Sequence, residues 1–99
     1  MNVTKVSQLT AQNLAEYIRI DDPSQDDLTT LSTLLTVAKN YVCNYTGLAD
    51  IDLDDYADIV IAVLVLCQDM WDTRTLYVDK SNVNKVVESI LGLHQVNLL

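Results

Sequence analysis

A chain of 99 residues with two glycines, one proline and 49% hydrophobic residues suits one domain of long regular elements, because a chain this size buries only a little over about 60% of its unfolded surface. Its formal net charge of −8, from 14 acidic and six basic side chains, excludes duplex binding by phosphate neutralisation, which needs clustered Lys and Arg. Cys43 and Cys67 stand singly inside apolar helical patterns, so they read as buried thiols of a reducing compartment, not as a disulfide or a metal pair.

Residues 1–9 are predicted as an extended or turn-like arm. Thr10 then serves as N-cap of a short helix over 11–18, with Leu14, Tyr17 and Ile18 facing inward. Four carboxylates follow within seven positions, Asp21, Asp22, Asp26 and Asp27. Pro23 disfavours helix at Asp22, and Ser24 followed by Asp27 has the spacing of a capping box with Asp in place of Glu. Asp26 and Asp27 fall in the first turn, where the helix dipole favours negative charge by roughly 0.3–1 kcal/mol each. The helix they open is predicted over 25–45. Leu28, Leu31, Leu35, Ala38, Val42 and Tyr45 form one continuous stripe along it, and Gly47 supplies a residue free to take positive φ just past its end.

A second acidic run, Asp50-Ile51-Asp52-Leu53-Asp54-Asp55, predicts a third helix over 54–76, capped by Asp52 or Asp54. This helix carries two apolar stripes: Ala57, Val60, Leu64, Cys67 and Trp71 on one, and Ile59, Val63, Leu66 and Met70 on the other. Leaving four large apolar side chains in water forfeits about 1.5–3 kcal/mol each, roughly 6–12 kcal/mol together, which is the whole stability of such a domain. Either partner subunits cover part of this helix or its own chain wraps it. After a polar turn at 78–82, a last helix is predicted over 83–91 with Val83, Val86, Val87, Ile90 and Leu91 apolar and Gly92 ending it. The remaining 93–99 is apolar for a chain end and is expected to dock. The fold class is all-α: one domain over 1–99, a small bundle of two long helices with short N- and C-terminal ones.

The acidic runs fail as metal sites. An EF-hand loop needs Gly at position 6 and Glu at position 12. Counted from Asp50 those positions hold Asp55 and Ile61; counted from Asp22 they hold Asp27 and Thr33. His94, the one histidine, has no His or Glu three or four residues away and reads as a surface or contact residue. No phosphate-cradling Gly-rich loop, nucleophile elbow or Cys/His pair is present, so no enzymatic activity and no cofactor are expected. Tyr41 and Tyr45, four apart, are expected to pack rather than to stack on a ligand. The longest apolar run, Ile59 to Cys67, has nine residues, against the ~20 of a membrane span, and no basic-then-apolar leader opens the sequence. The sequons at Asn2 and Asn44 then match by chance, and a protein soluble and intracellular when made is expected.

Five segments carry a resemblance. Leu9-Thr10-Ala11-Gln12-Asn13-Leu14-Ala15-Glu16-Tyr17-Ile18-Arg19-Ile20-Asp21 is followed by the acidic start Asp26-Asp27-Leu28. Tyr41-Val42-Cys43-Asn44-Tyr45-Thr46-Gly47 closes the long helix. A very apolar helix then ends in Met70-Trp71-Asp72-Thr73-Arg74, before Val83-Asn84-Lys85-Val86-Val87-Glu88-Ser89-Ile90-Leu91. In this order, over nearly the whole chain, they resemble the head–tail connector (adaptor) proteins of tailed bacteriophages; Trp71 departs from the Tyr common there. The resemblance implies a structural virion protein, made in the bacterial host cytoplasm and located at the head–tail interface. It would form a homo-oligomeric ring matching the portal, bind portal protein on one side and a tail-completion or stopper protein on the other, and extend the DNA channel without binding DNA specifically or touching a membrane. A head-to-tail contact repeated around an axis closes such a ring.

On this reading Ile59, Val63, Leu66 and Met70, with Val96, Leu98 and Leu99 of the terminus, are candidate subunit or portal contacts. Asp50, Asp52, Asp54, Asp55 and Asp58 are candidates to line the lumen and repel DNA phosphates, or else are solvated helix starts. The alternative is an acidic regulatory protein, a DNA mimic or antitoxin-like partner of a basic protein, which needs no free second stripe.

Overall fold

The computed structural model describes residues 3–96. Among them all regular structure is helical: a 3-10 turn at Val6–Gln8, α1 at Ala11–Ile18, α2 at Gln25–Thr46, a second 3-10 segment at Asp50–Asp55, α3 at Ala57–Thr73 and α4 at Lys85–Leu93. The first two helices begin where local chemistry dictates. Thr10 and Ser24 each accept the backbone N–H three residues on, and the side chains of Asn13 and Asp27 reach back to the N–H of the capping residue, so two orphan donors are satisfied at each start. Gly47, at φ 76°, closes α2 in the left-handed region, its N–H donating to the Cys43 carbonyl.

The other two helices start later than their acidic and apolar patterns predict. α3 begins at Ala57, not Asp54, and neither Asp52 nor Asp54 caps it; Tyr56 holds the N-cap position with no side-chain hydrogen bond. Residues 50–55 instead close a 3-10 segment in which Leu53 is pulled into the core. α4 begins at Lys85 because the Asn84 side chain accepts the Val86 N–H at 2.8 Å, a cap that Val83 cannot offer. It runs to Leu93, through Gly92 rather than ending there.

The two glycines therefore predict opposite mutational effects. A Cβ on Gly92 would meet no atom within 4 Å, so Gly92→Ala is expected to stabilise by about 0.5–1 kcal/mol through helix propensity. Gly47→Ala forces a side chain into positive φ and is expected to cost about 1 kcal/mol. Urea unfolding of the two variants checks both signs.

The core is built around α3, which lies against α1, α2, α4 and the first 3-10 turn. From α2 it receives Leu31, Leu34, Leu35, Ala38 and Val42; from α1, Leu14 and Ala15; from α4, Val87 and Leu91. Leu28 and Tyr45, the ends of the predicted α2 stripe, are only half-buried. The N-terminal arm is turn-like as expected, but it is also a core element, since Val6 and Leu9 are buried under it.

That cover decides the second stripe of α3. Ile59, Val63, Leu66 and Met70 are all buried within the chain, Ile59 and Val63 at 0% exposure, so they offer no free face to a subunit or portal. The expectation that a partner covers them is corrected: the arm, α4 and the remaining helices do so. Outward from α3 points Ile61 instead, at 50% exposure.

Candidate functional site

The acidic residues singled out for function lie in the connection between α2 and α3 and in the first turn of α3. Asp50, Asp52 and Asp55 are exposed there, as is Ile51, while Leu53 anchors the segment from beneath. Asp54 is engaged. The Ser7 N–H donates to its Oδ1 at 2.9 Å and the Ser7 Oγ–H to its Oδ2 at 2.6 Å, tying the N-terminal turn to the acidic segment. Asp58, in the first turn of α3, is engaged from the other end of the chain: its two oxygens lie 2.7 and 2.8 Å from His94 Nε2. An ionised carboxylate only accepts, so Nε2 carries the proton. The His94 ring also lies against Tyr56, with centroids 4.2 Å apart. Of the five lumen candidates, three are therefore free in solvent and two are spent on holding the fold.

The Ser7 bonds hold the Asp54 carboxyl below the ordinary Asp range, with Lys5 and Lys39 adding smaller pulls in the same direction. A folded value below the unfolded one stabilises fully above the unfolded value, about pH 4, and the benefit is lost as pH falls through the depressed folded value. Wild type and Asp54→Ala should accordingly differ in urea midpoint at neutral pH and converge in acid. A gap that persists unchanged at low pH would mean that the carboxylate charge is not its source.

The terminus docks on its own chain. The Val96 N–H donates to the Thr46 carbonyl at 2.7 Å, while the Val96 side chain remains exposed. Thr46 is itself fully buried, its Oγ donating to the Val42 carbonyl at 2.7 Å and accepting the Leu48 N–H at 3.2 Å. Leu98 and Leu99 lie outside the described residues. Sequence reasoning had no means of finding the role of His94, whose partner is 36 residues away and follows no helical spacing.

Neither cysteine is set up as a nucleophile. Burial pushes the Cys67 thiol up to about 12, and burial followed by Asp50 raises that of half-buried Cys43. Tyr41 and Tyr45 pack against each other with centroids 6.0 Å apart, and burial, then Tyr45 and Glu88, raise the Tyr41 hydroxyl. Among the described residues no three His, Cys, Asp or Glu side chains are grouped to hold a metal ion, and no helix is long and apolar enough to cross a membrane. Compared with family models, curated proteins and solved structures, the chain has no match in any of the three.

Proposed function

We propose that the chain is a structural, non-catalytic protein that assembles as a ring adaptor between the portal and the tail of a tailed phage, extending the DNA channel. What carries this reading is the order of the quoted segments along nearly the whole sequence. Tyr17 to Asp21 lie across the end of α1, Tyr45 to Gly47 close α2, and the apolar helix follows. The exposed Asp50, Asp52 and Asp55 support a DNA-repelling lining: in a ring the three carboxylates would recur once per subunit and present a like-charged surface to phosphates. Ring contacts on this reading fall to the outward apolar side chains, among them Ile51, Ile61 and Leu93, and not to the buried face of α3.

A second reading has a specific observation in its favour. The self-contained core of α3 leaves the monomer complete, as an acidic regulatory binder of a basic partner requires. Light scattering and negative-stain imaging of the purified chain, alone and mixed with the portal protein encoded nearest to it, distinguish the two. Rings seated on the portal are expected. A chain that stays monomeric and unbound with portal present would overturn the connector reading and leave the regulatory one.

A further inference from the structure

The segment joining α3 to α4, residues 74–84, has no helix of its own and separates two open cavities at the pole away from the acidic connection. One, of about 350 Å³, is lined by Leu66, Met70 and Val83 together with Asp69, Asp72 and Asp79. The other, of about 360 Å³, is lined by Leu34, Met70, Trp71 and Leu76. Leu76 borders the second cavity and its neighbour Tyr77 the first. Both side chains are largely in solvent, at 59% and 63% exposure. Two adjacent large apolar residues on an exposed ridge, with a cavity on either side, form the kind of concave and convex relief that a partner chain fills.

The charge of the site says which kind of partner. Three carboxylates face the first cavity, yet among the described residues no Lys or Arg lies within ion-pairing distance of any carboxylate; the one contact of that length is from His94 to Asp58. Arg74, the nearest cation in sequence to Asp72, is turned away over the Trp71 ring, 4.7 Å from its centroid. Asp79 is occupied only by neutral donors, the Ser81 N–H and the Asn82 amide. Asp69 is exposed at the groove, and partial burial and then the charge of Asp72 push its carboxyl up, with no cation to offset them.

We propose that this groove docks a basic, apolar segment of another protein: an apolar side chain seated against exposed Tyr77 and half-buried Val78 and Val83, and an adjacent Lys or Arg meeting Asp69 and Asp72. A second copy of the chain is a poor occupant, since each copy carries a net charge of −8 and would bring more carboxylates to the groove. The surface is independent of the ring reading, because it concerns the single subunit and a basic, apolar segment of another protein.

Backbone amide NMR of the full chain, titrated with three blocked hexapeptides of alternating Leu-Arg, Leu-Glu and Ser-Arg, tests it. Saturable shifts at Asp69, Met70, Tyr77 and Asn82 are expected with the Leu-Arg peptide. Binding should be about fivefold weaker to the Asp69→Asn/Asp72→Asn variant, whose unfolding midpoint should match wild type, and the Leu-Glu peptide should leave these amides unmoved. Three results overturn the proposal: no shifts between 66 and 84, equal shifts from the Ser-Arg peptide spread over Asp50 to Asp55, or self-association through the same residues without peptide. Saturable binding here by a chain that never forms rings would retain the groove while removing the connector reading.

Discussion

Ile59→Ala should cost about 2–5 kcal/mol, whereas Ile61→Ala, two residues along the same helix, should change stability by no more than about 0.5 kcal/mol. The contrast follows from burial alone. Ile59 is at 0% exposure, and truncating it leaves a cavity that close-packed neighbours refill only in part. Ile61 already stands half in water. Urea denaturation of both variants at neutral pH is the measurement, and similar costs at the two positions would mean that α3 is rotated from the orientation described. The pair also bears on assembly experiments. A loss of rings on mutating Ile59, Val63, Leu66 or Met70 would report unfolding rather than a broken interface, whereas a loss on mutating Ile61 would report the interface itself.

Removing residues 94–99 should destabilise the isolated chain by about 2–3 kcal/mol. The deletion takes away the His94 hydrogen bond to the Asp58 carboxylate, worth about 1.5–3 kcal/mol, and a ring contact worth about 0.5–1.5 kcal/mol. The Asp58 side chain is 41% exposed against 16% for His94, so solvent screens the pair and holds the sum to the lower half of its range. It also frees the buried Thr46 carbonyl from the Val96 N–H. Thermal unfolding should drop by roughly 10–20 °C for a domain this small. An unchanged midpoint would show that the terminus contributes nothing to the monomer. Because the deletion weakens the subunit before any partner is present, it cannot by itself assign the terminus to a subunit contact. Val96→Ser is the cleaner probe, since it alters the exposed side chain and keeps the backbone bond.

What the sequence made legible was local. The starts of α1 and α2 follow from side chains within three residues of the ends they govern, Thr10 with Asn13 and Ser24 with Asp27, and Gly47 announces the stop of α2. The start of α3 was not legible because the residue expected to cap it, Asp54, is claimed by Ser7 from 47 positions away, a pairing no window of the sequence contains. For the same reason the sequence left the cover of the second α3 stripe open between a partner and the chain itself. Val6 and Leu9 read as an arm, and only the fold returns them to the core. The candidate surfaces divide likewise: the exposed carboxylates at 50–55 stood out by composition, whereas the groove beside α3 depends on where an irregular segment folds back.

The Ser7–Asp54 and Asp58–His94 bonds have one more implication, for the order in which the chain is secured. They fasten the two ends of the molecule to the same stretch, with 47 and 36 residues between partners, so the loops that must close are among the longest the chain contains. Helices α1 and α2 can form and meet on short-range contacts first, as low contact order favours. The acidic stretch from Asp50 to Asp58 waits for both ends to return. Hydrogen exchange should find it opening at a lower free energy than the middle of α3, with the carboxylates freed by the loss of either end.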